Sequence, residues 1–316
     1  MLSRTADHLF WMARYTERAE NAARMLDVTF QTALLPQSKE SAAQSWHAML
    51  GISELQAAYD AKHDKLTTKN VIDFLVQDRS NPSSMASCLA NARENARAVR
   101  GSLTTEVWET LNTTYLELNS QLKDGLLQKD PSNFFEWVKY RSHLFRGVAI
   151  GTMLKDEAFY FTRLGTFLER ADNTARILDV KFYGQPHAEG KDEPDQRDFY
   201  YWAAILRSVS AFEIYRRVYR DVITPAKVAE LLILRQDMPR SLLACLDEVI
   251  RNLAQVANSA SKDTERFAGK LHSDLKFGRI DEILAEGLHA YLVRFFERIF
   301  ELGNRVSRDF LVPAEM

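Results

Sequence analysis

The residues best suited to chemistry lie in one stretch near the N-terminus, where acidic, basic and amide side chains recur at helical spacing. Arg14, Glu17, Asn21 and Arg24 are three, four and three residues apart, and Arg18 lies on their flank. On an α-helix this spacing places the four side chains on one face. Arginine can hold a carboxylate through two parallel hydrogen bonds, and a glutamate beside it could receive an amine or act as a general base.

A second copy of this stretch occurs later in the chain. Nine of the twelve residues in 17–28 are identical in 169–180. The repeated polar residues are Glu169, Arg170, Asn173 and Arg176, whereas Thr166 stands where Arg14 would be. Weaker matches continue from Trp46 and Trp202 to Asn95 and Asn252, while the offset drifts from 152 to 157. The pattern indicates an internal duplication.

Three interpretations of this Glu-Arg face remain open. It could be a solvated face with local pairs such as Glu20 with Arg24, each worth roughly 0.2 to 0.5 kcal/mol. It could be a structural lock, in which glutamates and arginines of two related helices pair with each other. It could also bind a ligand or a partner. Most of the two halves has diverged while these polar residues match, which is unexpected for a solvated face.

Helical periodicity dominates the rest of the chain, and no alternating strand pattern persists. We therefore predict an all-α duplicated bundle of about twelve helices in two related six-helix halves, 1–151 and 152–316. The predicted helices are 2–35, 41–63, 68–78, 83–100, 103–127, 132–151, 155–183, 196–220, 225–236, 240–259, 262–276 and 280–308. The polar stretch 184–194 is the longest predicted loop.

Composition narrows the class of protein. A chain of 316 residues is somewhat too long for one undivided core. A formal net charge of −2 argues against nucleic acid as a partner. No signal peptide or membrane-spanning run is recognisable, and Cys88 and Cys245 are too few for a disulfide framework, so we expect buried thiols and a cytoplasmic location.

Common catalytic motifs are missing from the sequence. A di-iron bundle needs two Glu-x-x-His pairs, and this chain has only Glu286 with His289. Walker, dinucleotide and zinc-protease motifs and aspartate-rich magnesium motifs are likewise absent. We therefore predict no metal and no cofactor, and we expect a partner to supply any activation by ATP.

The opening residues 2–21, LSRTADHLFWMARYTERAEN, resemble the start of the bacterial alpha-E family, a predicted helical domain with an ER motif. The motif maps to Glu17 and Arg18, and it is repeated in the second copy as Glu169 and Arg170. Members of that family are typically encoded beside, or fused to, circularly permuted ATP-grasp proteins and transglutaminase-like peptidases. The resemblance thus implies an accessory or binding subunit acting with these partners in forming or modifying peptide-like amide bonds. An enzyme using Glu17 or Glu169 as acid or base, and a purely structural protein, remain alternatives.

Overall fold

The computed structural model describes residues 1–33, 39–179 and 196–312. Within these ranges all regular structure is helical and no strand occurs, which confirms the predicted all-α class. The predicted loop 184–194 lies outside the described residues. No helix in the described part of the chain is long and apolar enough to cross a membrane.

Sixteen helices are present in the described residues. The first eight are α1 (Ser3–Ala33), α2 (Lys39–Ile52), α3 (Gln56–Asp60), α4 (Thr68–Val76), α5 (Met85–Ala98), α6 (Thr105–Lys123), α7 (Leu126–Lys129) and α8 (Pro131–Thr152). The other eight are α9 (Glu157–Asp179), α10 (Gln196–Ser208), α11 (Phe212–Tyr219), α12 (Pro225–Ile233), α13 (Leu242–Gln255), α14 (Lys262–Lys276), α15 (Ile280–Glu286) and α16 (Leu288–Val306). A π-helical turn, Ser307–Leu311, follows α16.

Side-chain caps explain where several helices begin. The Asp130 side chain caps α8 by accepting a hydrogen bond from the backbone N–H of Asn133, and Pro131 occupies the first turn. Thr224 caps α12 in the same way, again with a proline in the first turn. Proline is favoured there because its missing N–H would have no partner inside the helix. These are the starts that the sequence predicts most directly.

The prediction of twelve helices is wrong, because four predicted helices are each broken in two. The broken helices are those predicted at 41–63, 103–127, 196–220 and 280–308. Each break contains a residue with positive φ, namely Glu54 (55°), Gly125 (74°), Ser210 (55°) and Gly287 (100°). A left-handed residue ends an α-helix. Two of the four are not glycine, so their sequence gives little warning of a break.

The long helix α1 connects two hydrophobic cores. It packs mainly against α9, α5 and α8, while α9 packs in turn against α13 and α16. The N-terminal part of α1 contributes Leu9 and Phe10 to the larger core, which contains most of the second half of the chain. Further along, Ala19 and Leu26 join the smaller core with α2, α4, α5 and α8. Two core clusters are consistent with the chain length.

Helices α1 and α9 come closest at Gly165. A Cβ atom on this residue would lie 2.2 Å from the carbonyl oxygen of Phe10, far inside van der Waals contact. Only glycine fits without moving one of the two backbones. This close approach brings the Glu-Arg residues of the two helices within reach of each other, one turn beyond Gly165 on α9 and two turns beyond Phe10 on α1.

Candidate functional site

The Glu-Arg residues of α1 and α9 exchange partners between the helices. Arg170 donates from Nε to Glu17 Oε1 at 2.8 Å and from Nη2 to Glu17 Oε2 at 2.9 Å. Arg18 donates from Nε to Glu169 Oε1 at 2.6 Å and from Nη2 to Glu169 Oε2 at 3.1 Å. Both pairs are therefore bidentate and related by the repeat. This is the contact pattern that the lock interpretation predicts.

Glu17 belongs to a larger cluster, here called the α1 carboxylate centre. It consists of the carboxylates of Glu17 and Glu20 and the guanidinium groups of Arg24, Arg146, Arg170 and Arg240. Arg240 bridges the two carboxylates and also donates to Asn21 Oδ1 at 3.1 Å. Arg146 bridges them from α8, and Arg24 Nε donates to Glu20 Oε1 at 2.8 Å. Three helices, α1, α8 and α9, and the turn before α13 meet at this centre.

The equivalent cluster on α9 is smaller. In this α9 carboxylate centre Glu169 accepts from Arg18 and from Arg14, whose Nε lies 2.7 Å from Glu169 Oε2. The Arg14 guanidinium also lies 4.7 Å from the ring centroid of Trp11, at cation–π distance. Arg14, the one polar residue without a counterpart in the second copy, therefore supplies a second cation to the single carboxylate.

Two residues of the second copy lie at the edge of this arrangement. Asn173 donates from Nδ2 to the backbone oxygen of Glu169 at 2.8 Å, a local bond within α9. Arg176 pairs with Asp172 at 2.8 Å, as the helical spacing predicts, and with Glu54 at 2.8 Å. All nine polar residues singled out in the sequence thus make polar contacts. Asn173 and Arg176, however, do not bind the carboxylate oxygens of Glu17, Glu20 or Glu169.

Burial excludes a solvated face for the two glutamates. Glu17 is 1% exposed and Glu169 is 2% exposed, and Arg170 is also buried. The side chain of Arg18 retains 28% exposure, but it is paired with Glu169. The sequence-based expectation that Glu17, Arg18, Glu169 and Arg170 are more buried than charged residues usually are, and hydrogen-bonded, is therefore confirmed. Buried charges of this kind persist only when paired and hydrogen-bonded.

The arginines keep the glutamates ionised. Burial acts to raise the pKa of Glu169, but Arg14 and Arg18 outweigh it and lower that pKa to about 2. Burial also opposes ionisation of Glu17, and Arg170, Arg240 and Arg146 together lower its pKa below the usual value. The pKa of Glu20 falls well below its usual value for the same reason. A general base working near neutral pH needs a pKa close to 7, so these carboxylates are poorly suited to that role.

The two cysteines lie beside the centres as buried, unreactive groups. Cys88 and Cys245 are free and fully buried, as expected from the sequence. Burial raises the pKa of each thiol to about 12, although Arg18 lies near one and Arg170 near the other. A thiol with such a pKa carries almost no thiolate at neutral pH. Neither is a candidate nucleophile.

Four important residues of the site were not selected from the sequence. The spacing indicates Glu20 only as a local partner of Arg24. Arg146 and His143 come from α8, and Arg240 comes from the turn before α13. In the aligned second half Arg240 corresponds to Ser83 of the first half, so the internal repeat gives no signal for it. Nothing in the spacing of α8 distinguishes Arg146 from a surface arginine.

A polar cleft adjoins the α1 carboxylate centre. It has a volume of about 290 Å³ and is lined by residues of α1, α8, α10 and α11, among them Arg24, Lys139, Arg207 and Ser210. Arg24 Nη1 donates to Ser210 Oγ at 2.6 Å, so the left-handed residue between α10 and α11 lies directly at the cleft. Within the described residues, no group of three or more His, Cys, Asp and Glu side chains is arranged to hold a metal ion.

Fold and site together define an all-helical protein whose two Glu-Arg helices are joined by reciprocal bidentate ion pairs. The profile of the Alpha-E family, described as a predicted alpha-helical domain with a conserved ER motif, matches residues 1–311. The chain belongs to this family.

Curated relatives of this chain are found in mycobacteria. An uncharacterized protein of Mycobacterium bovis and one of Mycobacterium tuberculosis strain CDC 1551 are each 25% identical to it, and one of strain H37Rv is 24% identical. The alignments cover 94% of this chain but 35% of each relative, so the chain spans about a third of their length. No solved structure matches the chain significantly.

Proposed function

We propose that this protein is a non-catalytic helical binding subunit that acts beside an ATP-grasp-type amide ligase and a transglutaminase-like protein on a peptide-like substrate. The observation that carries the proposal is the clamping of Glu17 and Glu169 by arginines of the neighbouring helix. Because both carboxylates stay ionised, they suit binding or structure better than proton transfer. The identity of the partners rests on the family resemblance.

The enzyme alternative would need one of the two glutamates as a general acid or base. Such a role requires a pKa raised by burial, and the arginines shift the pKa of both glutamates in the opposite direction. The geometry therefore favours a division of labour. The reciprocal pairs hold α1 on α9. The arginines of the two clusters that keep side-chain exposure, namely Arg14, Arg18 and Arg146, can in addition contact a substrate or partner.

The lengths of the curated relatives support a module that works with other domains. In those mycobacterial proteins the matching segment occupies about a third of the chain, which leaves room for further domains on the same polypeptide. A ligase partner could therefore act on this protein either from a separate chain or from a fused one. A reducing cytoplasm, expected from the two unpaired cysteines, is part of the same proposal.

We also infer that the two halves, 1–151 and 152–316, share one duplicated arrangement. In support, α5 and α8 pack on α1 as α13 and α16 pack on α9. Glu54 and Ser210 have positive φ at equivalent positions, and Ser84 and Ser241 cap equivalent helices. Superposing the halves of an experimental structure tests this inference. We expect α1–α8 to align with α9–α16 in order, and alignment in another order would reject the duplication.

The test of function combines this protein with the ligase encoded beside it. We expect the two to co-purify, and ATP-dependent amide formation on a peptide acceptor to require both. Arg18→Ala and Arg170→Ala should reduce activity, with helical circular dichroism as the control for folding. Full activity of the ligase alone, with no binding between the proteins, would reject the partnership. Loss of activity together with loss of fold would assign these two arginines only to the joint, meaning the reciprocal ion pairs that hold α1 on α9.

A further inference from the structure

His143 lies between two arginines of the α1 carboxylate centre. Its Nε2 is 3.2 Å from Arg24 Nη2, and its Nδ1 is 2.8 Å from Arg146 Nη2. A neutral imidazole has one acceptor nitrogen and one N–H, while guanidinium groups only donate. At one of these two contacts, therefore, two N–H groups face each other. An acceptor is missing at this point.

The charges of the α1 carboxylate centre also indicate that a negatively charged acceptor is missing. Two carboxylates, of Glu17 and Glu20, face four guanidinium groups, which leaves a formal excess of two positive charges. Burial lowers the pKa of Arg240 to about 10, and although Glu20 and Glu17 oppose this effect, Arg170 adds to it. An excess of buried positive charge is costly unless an anion compensates it.

A third unmatched donor belongs to the same cluster. Asn21 is 2% exposed, and its Oδ1 accepts from Arg240. Its Nδ2 has no hydrogen-bond partner among the described residues. Buried donors are normally paired, so this one also indicates that the centre has more donors than acceptors.

We propose that the edge formed by Arg24, His143 and Arg146 binds the carboxylate of a small peptide-like ligand. The two oxygens of a carboxylate can accept from the Nη2 groups of both arginines and from the imidazole N–H, which relieves the opposed donors and neutralises part of the charge. His143 is exposed, so this edge is reachable from solvent. The choice of a peptide carboxylate rests on the proposed function, whereas the need for an anion does not.

The adjoining cleft provides room for the rest of the ligand. Arg24 belongs both to the proposed edge and to the lining of the cleft, whose volume of about 290 Å³ is near the lower limit for small-molecule sites. Asp27 and Glu136 also line it, and both are paired with Lys139. Glu213 is the further carboxylate there, and it would favour a ligand that carries N–H groups next to its carboxylate.

Isothermal titration calorimetry of the full chain tests the site without any ligase. The probes are N-acetyl-alanyl-alanine, its C-terminal amide as an uncharged control, and inorganic phosphate. We expect the acid to bind at least about 10-fold more tightly than the amide, because charge-assisted hydrogen bonds are lost with the charge. Equal binding of acid and amide would overturn the proposal. Tighter binding of phosphate than of the acid would overturn the assignment to a peptide carboxylate.

A second test uses a substitution that supplies the missing carboxylate from the protein itself, together with a matched control. His143→Glu places a carboxylate between the two arginines, so we expect it to abolish binding of the acid probe and to raise Tm. Leu144→Glu adds the same charge at the next, exposed position and should leave the affinity within about twofold of wild type, since exposed charges act weakly. Unchanged binding in His143→Glu would overturn the proposal. Because the ligase is not involved, failure here leaves the partnership standing, and failure of the partnership leaves the anion site standing.

Discussion

Each Glu-Arg dipeptide places two opposite charges on adjacent residues of one helix, where they cannot pair with each other. Consecutive side chains on a helix point about 100° apart, so the glutamate and the arginine need partners from elsewhere. The second helix supplies both, because it contains the same dipeptide. Glu17 takes Arg170, and Glu169 takes Arg18. A duplicated motif is therefore complementary to itself, as in a two-fold interface between identical subunits.

Acid should weaken the fold through Glu169. The pKa of this carboxyl is about 2 in the folded protein and 4.5 in its unperturbed state, so the unfolded chain binds more protons between these values. The stability that Glu169 contributes is fully present above pH 4.5 and is lost as pH falls towards 2, on the order of 3 kcal/mol in total. Urea unfolding at a series of pH values measures the loss. A titration of the Glu169 carboxyl by NMR that gives a pKa above 4.5 would contradict the account.

At the scale of residues, the sequence predicts which side chains form the polar face better than it predicts which side chains they pair with. The spacing of Glu17, Asn21 and Arg24 and their recurrence in the second copy indicate a special face, but they cannot choose between a site and a lock. Distances between α1 and α9 decide that question. Arg240 and Arg146 also stabilise the carboxylate of Glu17. They have no counterpart in the repeat and lie far from Glu17 in the sequence, so only the folded structure connects them to it.

At the scale of elements, the crossing of α1 and α9 depends on one small residue. A methyl group at position 165 would collide with backbone of α1, and backbone cannot relax as a flexible side chain can. The crossing also fixes the positions of both glutamates. Any separation of the two helices would lengthen the hydrogen bonds that keep Glu17 and Glu169 ionised.

Gly165→Ala should destabilise the protein by about 3 kcal/mol or more, since overpacking a tight contact usually costs 1 to 3 kcal/mol and this one involves backbone on both sides. Gly269→Ala is the matched control. This glycine also lies inside a helix, but nothing is within 4 Å of the added methyl group, so better helix propensity should stabilise by up to about 1 kcal/mol. Denaturant unfolding measures both. Equal effects of the two substitutions would mean that the close approach is not required.

Helix boundaries were predictable where local chemistry sets them and not elsewhere. The sequence predicts helix starts at Pro131, Pro225 and Pro239, and the first two agree with the structure. Pro239 instead lies before α13, which begins at Leu242 after its cap Ser241. The breaks at Gly125 and Gly287 involve a residue that adopts positive φ easily. Glu54 and Ser210 adopt positive φ without that advantage, so the helical periodicity of the sequence gives no sign of either break.

At the scale of the whole molecule, α1 contributes to both hydrophobic cores. Leu9 packs in the larger core and Leu26 in the smaller one, and the Glu-Arg residues lie between them on the same helix. Loss of the joint would thus disturb both cores at once. We expect unfolding in a single cooperative transition, which also makes the stability of the whole chain a direct readout of the joint.

The most direct test of the joint is a double-mutant cycle on Glu17 and Arg170, measured by denaturant unfolding of wild type, Glu17→Gln, Arg170→Met and the double variant. Both hydrogen bonds from the Arg170 guanidinium go to Glu17, so Glu17→Gln leaves a buried cation without its counter-charge and with one of its N–H donors facing an amide NH2 group. Each single substitution should cost roughly 3 to 5 kcal/mol, and the coupling between them should be about 2 kcal/mol. The exposed pair Arg279 and Asp281 is the control, with a coupling below about 1 kcal/mol. Costs at Glu17 and Arg170 that add within about 0.5 kcal/mol would contradict the claim that this pair joins α1 to α9.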